Sequence, residues 1–138
     1  MTIDQFVERL GNAPLLFQPG TRWEYGFSTD VLARVVEVAS GRPLGQFLAE
    51  RLFTPLKMTD TGFVVPAASN ARIAQPFATD PDTGKAVSVP DVTVAPRFEC
   101  GGGCAVSTAD DYVGFAQMLL NRGSLDGARM LGRKTVST

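Results

Sequence analysis

The strongest apolar pattern in this chain runs over residues 30–40. Leu32, Val35, Val36 and Ala39 recur at i, i+3, i+4 and i+7, and Val31 and Val38 widen the stripe, which predicts a helix from Asp30 to Ser40. Thr29 or Ser28 can cap its start, and Gly41 ends it. A shorter helix is predicted upstream, Ile3 to Leu10, with Thr2 as N-cap, Gln5 at the capping-box position and Gly11 just beyond its end. Pro43 suits the first turn of a third helix that puts Leu44, Phe47, Leu48 and Leu52 on one face and stops at Thr54-Pro55. Thr108 opens a fourth, with Asp111 at the capping-box position and Tyr112, Phe115, Ala116 and Leu119 along one side; Gly123 closes it. Arg133 onward reads as the first turn of one more helix.

Residues 56–106 lack such a period. Proline and the cluster Asp80-Pro81-Asp82-Thr83-Gly84 mark turns, and short strands are expected near Gly62–Val65 and Lys85–Val89. Asp126-Gly127 is a turn. With no internal repeat and no linker, residues 1–138 are expected to form a single domain, mainly α with a few short strands.

Composition narrows the partners. The 138 residues are 44% apolar and 20% charged, which supports a packed core rather than disorder. Thirteen Lys and Arg stand against 14 Asp and Glu, a net charge of −1 that gives no electrostatic footprint for nucleic acid or an anionic membrane. The apolar runs are too short to span a bilayer. The first residues, MTIDQFVERLG, are acidic and lack the apolar core of a signal peptide, so the default expectation is a cytoplasmic chain.

There is no histidine. That removes Ser-His-Asp and Cys-His schemes and most catalytic zinc sites, leaving Tyr, Lys, Asp, Glu or Cys for proton transfer. Cys100 and Cys104 flank Gly101-Gly102-Gly103. Two thiolates without histidine do not complete a tetrahedral zinc site; a disulfide across the glycines is geometrically open to them, and free thiols are the expectation. Asp110 and Asp111 read as helix-start carboxylates suited to the dipole rather than an acid–base pair, Asp60 as a turn former and Lys57 as an exposed side chain.

One stretch raises a sharper question. Residues 18–30 read QPGTRWEYGFSTD, with the single tryptophan, Trp23, and one of the two tyrosines, Tyr25, in a glycine-followed connection before a helix. Trp23 and Tyr25 are either amphipathic core anchors or, for Tyr25, a positioned phenol that moves protons.

Three stretches in order carry a resemblance. They are the Pro19-Gly20 turn leading into Tyr25 and a helix, the segment Pro55-Leu56-Lys57-Met58-Thr59-Asp60-Thr61, and GGGCAVSTADDYVGFAQMLLNRG at 101–123. Together they resemble the serine β-lactamase-like hydrolases, which include class C β-lactamases, esterases and D-Ala-D-Ala carboxypeptidases. The likeness covers nearly the whole chain and implies the helical region of that β-lactamase/transpeptidase-like fold. No S-x-x-K, the family's nucleophile motif, occurs in the chain, and Lys134-Thr135 is followed by Val136 rather than the glycine of a K-T-G strand.

The resemblance implies roles residue by residue. Tyr25 matches the family's tyrosine that takes the serine proton, and Gly26 leaves room for substrate beside it. Phe27 stands where β-lactam-processing members often have Asn, which argues for an ester-like substrate, and Ser28 reads as a helix cap rather than a polar substitute. In the family the glycine-rich segment lies beside the pocket, so Phe98 and Glu99 either line that pocket or belong to a surface loop. The implied chemistry is acyl transfer from a small-molecule ester or amide to serine and then water, with no metal or organic cofactor. Without its nucleophile the chain alone should be inactive. The other reading is a non-catalytic helical interaction module; apolar helix faces left uncovered would make either a homo-oligomer.

Overall fold

In the computed structural model, which describes residues 1–137, Thr2 caps helix α1 (Ile3–Gly11) through the expected reciprocal pair. The Gln5 N–H donates to Thr2 Oγ1 at 3.3 Å and the Thr2 N–H donates to Gln5 Oε1 at 3.1 Å. The helix runs one residue further than its pattern predicts. Gly11 is its last residue, and Asn12 closes it by donating from Nδ2 to the Glu8 carbonyl at 2.9 Å. Helix α2 (Ser28–Ser40) ends as expected, with Gly41 left-handed at φ 69° and its N–H on the Glu37 carbonyl. Its start differs. Phe27 is the N-cap, no side chain caps it, and Ser28 and Thr29 lie inside the first turn. Arg34 of α2 pairs with Asp4 of α1 and with Glu37 on its own helix.

Helix α3 (Leu44–Leu48) passes directly into a π-helical turn, Ala49–Phe53, where the Thr54 N–H reaches back five residues to the Ala49 carbonyl. That wide turn shifts the side chains that follow it, so Leu52 does not share a face with Leu44 and Leu48. Leu44 and Leu48 pack with Ile3, Ala33 and Phe63 in one core, whereas Leu52 and Phe53 pack with Leu56, Met58 and Met118 in a second. Pro43 offers α3 no side-chain cap. Two distant carboxylates cap it instead: Glu37 accepts from the Leu44 N–H at 3.1 Å, and Glu99 from the Gly45 N–H at 2.6 Å.

The second core is organised by helix α4 (Ala109–Leu120), whose Met118 is fully buried. Thr108 caps α4, its Oγ1 accepting from the Asp111 N–H. The Asp111 carboxylate does not complete a capping box. Its Oδ2 accepts from the Asp60 N–H at 2.8 Å and from the Thr61 hydroxyl at 2.7 Å, and that hydroxyl also meets Ser107 Oγ at 2.7 Å. Asp60 in turn holds Arg72 through two bonds of 2.8 and 2.7 Å, so it is an ion-pair partner as well as part of a turn. The Arg72 hydrogen bond holds the Asp60 carboxyl below its ordinary pKa. The pair therefore adds stability above the usual carboxylate range, and that contribution fades as pH falls through the lowered value.

Strands are sparse. The segments 62–65 and 85–89 form no strand, only the single bridges Gly62↔Val106 and Thr79↔Ala86. Pro66 and Pro90 follow these segments directly, without an N–H to extend a ladder. The two strands of the described residues, β1 (Ser124–Leu125) and β2 (Ala128–Arg129), make an antiparallel hairpin about Asp126 and Gly127, both left-handed at φ 48° and 82°. Lys57 is exposed as expected and reaches Asp126 at 3.4 Å. Helix α5 (Arg133–Val136) follows.

The Asp111 bonds predict an asymmetry between adjacent acids. Asp111→Ala should lower the free energy of unfolding by about 1–3 kcal/mol, because two donors lose a charged acceptor. Asp110→Ala, on an exposed carboxylate, should cost less than about 1 kcal/mol. Urea denaturation of the two variants measures the difference; equal losses would mean that helix-dipole charge, not the bridge to Asp60 and Thr61, is what Asp111 contributes.

Candidate functional site

The segment before α2 is shaped by its turn. Pro19 and Gly20 sit at the corner, Gly20 at φ 82°, and Thr21 donates from both N–H and Oγ1 to the Gln18 carbonyl. Arg22 lies over the Phe17 ring at 5.1 Å. Trp23 and Tyr25 follow, and both are exposed, at 83% and 81%. They are therefore not core anchors in this chain. Among the described residues no side chain hydrogen-bonds the Tyr25 phenol. A Cβ built on Gly26 meets no atom within 4 Å, so the space beside Tyr25 is open.

Phe27 and Phe98 are brought to one place through a third ring. Phe6 of α1 meets Phe27 edge-on at 5.3 Å between centroids and stacks on Phe98 at 5.6 Å. With Pro96, Arg97 and Asp30 these rings border an open cleft of about 310 Å³. Glu99 is not at that cleft. Its carboxylate lies on the α3 N-terminus, so close that a side chain at Gly45 would run into it. The expectation that Glu99 lines the pocket is thus replaced by a capping role.

The glycine-rich segment packs on the first turn of α2. A Cβ on Gly101 would collide with the Thr29 carbonyl and press on Ala33. Gly102 donates its N–H to Asp30 Oδ1 at 3.1 Å, and a Cβ there would crowd Asp30 and Thr29. Asp30 is buried at 8% exposure, so this bond serves a carboxylate that would otherwise lack a buried partner. Cys100 and Cys104 are joined in a disulfide with Cα atoms 5.4 Å apart, and both border the cleft. The expectation of free thiols is corrected. The glycines fold tightly enough to bring the two sulfurs together, which spacing alone does not decide.

Phe6 and Asp30 are the residues that sequence reasoning missed. Phe6 lies inside the predicted Ile3–Leu10 helix and Asp30 is the first residue of the predicted second one, and neither carries a local motif. The signal for Asp30 was the glycine triplet, since adjacent glycines mark close backbone approach to something. A second, broader groove of about 1500 Å³ runs between the 59–66 and 89–97 segments, bordered by the Asp60–Arg72 pair and Ser107. Among the described residues no group of three or more His, Cys, Asp or Glu side chains is placed to hold a metal ion, and no helix is long and apolar enough to cross a membrane.

The comparisons with known proteins agree with this architecture. Residues 2–137 match the family described as Beta-lactamase, and the chain belongs to that family. It is 38% identical over 135 residues to an uncharacterized protein of Mycobacterium tuberculosis, covering 96% of this chain and 34% of that protein. To the lovastatin esterase of Penicillium rubens it is 36% identical over 121 residues, covering 84% of this chain and 30% of the relative. The solved structure described as EstCE1, a hydrolase with promiscuous acyltransferase activity, superposes with a TM-score of 0.75 at 25% identity, covering 99% of this chain and 39% of that one. The chain thus spans about a third of the length of the proteins it matches, as a mostly helical part of a β-lactamase/transpeptidase-type fold.

Packing predicts opposite outcomes at Gly101 and Gly26. Gly101→Ala forces a Cβ against the Thr29 carbonyl and should destabilise the protein by about 1–3 kcal/mol. Gly26→Ala enters open space and should stay within about 0.5 kcal/mol of the parent. Thermal melts of both variants test this; a neutral Gly101→Ala would mean that the segment does not sit on α2.

Proposed function

We propose that this chain supplies the helical part of a serine hydrolase that transfers the acyl group of a small-molecule ester or amide to serine and then to water. The observation that carries the reading is an exposed Tyr25 phenol, two residues from the aromatic cleft, in a chain of the beta-lactamase family. Two of its relatives are described as an esterase and as a hydrolase with acyltransferase activity, which favours an ester carbonyl. Phe27 supports the same preference, because a phenyl ring offers no hydrogen bond to an amide.

In this reading the serine of an S-x-x-K segment, which these 138 residues do not contain, attacks the carbonyl carbon. As a phenolate, the Tyr25 oxygen accepts the hydroxyl proton as the C–O bond forms, and returns it to the departing alcohol or amine when the tetrahedral intermediate collapses. Water then repeats the sequence on the acyl-serine. Phe27 and Phe98, held by Phe6, present an apolar wall to the acyl or alcohol group of the substrate.

The chain on its own should hydrolyse neither short-chain aryl esters nor a chromogenic cephalosporin above a protein-free blank. Turnover that survives purification and is lost in Tyr25→Phe would point to a different nucleophile within these residues. In an active protein that joins this chain to an S-x-x-K segment, Tyr25→Phe should lower kcat/KM by about 10²–10⁴-fold with its melting temperature nearly unchanged. A near-normal rate would remove the proton-transfer role from Tyr25.

A second reading, a helical module that pairs with copies of itself, is favoured by one observation. Leu32 and Val35 on α2 and Tyr112, Val113 and Leu120 on α4 are all more than half exposed, the last at 77%. At micromolar concentration the 14.7 kDa chain should scatter light as a dimer or larger species. A clean monomer with cooperative unfolding would count against self-pairing.

A further inference from the structure

Cys100 and Cys104 are both half-buried and border the open cleft. The three residues between them make two contacts that hold the start of α2. Gly101 lies against the Thr29 carbonyl, and the Gly102 N–H donates to the buried Asp30 carboxylate. Three consecutive glycines gain more conformational freedom on release than any other triplet. The disulfide limits that freedom by tying the ends of the loop, with Cα atoms 5.4 Å apart.

We propose that Cys100–Cys104 is a reversible redox site whose substrate is a dithiol, either a small molecule or a protein. Its reduction releases Gly101-Gly102 from the first turn of α2. A thiolate of the dithiol attacks one cysteine Sγ; the S–S bond breaks and the other cysteine departs as a thiolate that takes a proton. The second thiol of the reductant then attacks the mixed disulfide, and the reductant leaves oxidised to its own disulfide. Two electrons and two protons pass to the protein, which gains two S–H groups. The element affected is α2, whose N-cap Phe27 lies two residues after Tyr25, so the oxidation state governs how firmly the Tyr25 segment is anchored. This site is independent of the hydrolase reading, because both its chemistry and its readout lie within the chain.

The test is residue-resolved amide hydrogen exchange on the untreated protein, on the protein reduced with dithiothreitol, and on the Cys100→Ser, Cys104→Ser double variant. Thiol titration follows the oxidation state. The untreated protein should show no free thiol. On reduction the Gly102 amide should exchange about tenfold or more faster, while the amides of α4 around Met118 keep their protection. The double variant should match the reduced protein, and reoxidation should restore the slow exchange. Two free thiols in the untreated protein would overturn the proposal. So would unchanged Gly102 protection with both sulfurs reduced. Loss of protection throughout α4 on reduction would also overturn it, by making the disulfide a global staple rather than a local clamp.

Discussion

Five consecutive residues, Phe98 to Gly102, touch each of the first three helices, and the rest of the first core depends on that threading. Phe98 stacks on Phe6 of α1, Glu99 caps α3 at Gly45, Gly101 rests on Thr29 of α2, and Gly102 bonds Asp30 on the same helix. The limiting constraint is steric. Backbone meets backbone at Gly101, so no other residue fits without moving the segment or the helix. The polar bonds then fix its direction, since buried carboxylates and orphan helix N–H groups each need a partner.

The two cores are joined by one continuous helical stretch. Leu44 and Leu48 belong to the first and Leu52 and Phe53 to the second, with the π-helical turn redirecting the side chains between them. A polar connection closes the other side. Asp111 at the start of α4 accepts from Asp60 and Thr61, so two segments more than forty residues apart form one hydrogen-bonded unit with Arg72. The motif-like strings Met58-Thr59-Asp60-Thr61 and Ser107-Thr108-Ala109-Asp110-Asp111 are thus two halves of a structural joint. This joint borders the broader groove between the 59–66 and 89–97 segments.

Function rests on what this scaffold holds outward. The aromatic cleft is assembled from α1, the start of α2 and the 96–104 segment, while Tyr25 stands exposed on the connection that the Pro19-Gly20 turn directs into α2. Apolar side chains on α2 and α4 remain open to solvent on faces that these residues leave uncovered. Both features fit a chain that spans about a third of its beta-lactamase-family relatives. In the proposed reading the phenol and the apolar wall serve acyl transfer to a serine; no S-x-x-K motif occurs in these residues.

By itself the sequence determined the local choices. Helical period in the apolar residues placed α2 and α4, and the Thr2–Gln5 capping pair placed α1; Thr108 marked another start and Gly41 one end; Pro19-Gly20 and Asp126-Gly127 marked turns. These depend on neighbours within a few residues, where spacing and φ preference suffice. The ordered motifs also carried the family. Tertiary structure alone decided the rest. It took Glu99 from the pocket to the tip of α3, Asp111 from its own helix start to Asp60 and Thr61, and Leu52 from one core to the other. It joined Cys100 to Cys104 and brought Phe6 between Phe27 and Phe98. Each outcome depends on groups far apart in the chain, or on how tightly a loop folds against a distant helix. Carboxylates, sulfurs and rings commit to the partner that packing brings within reach, and no spacing rule encodes that distance.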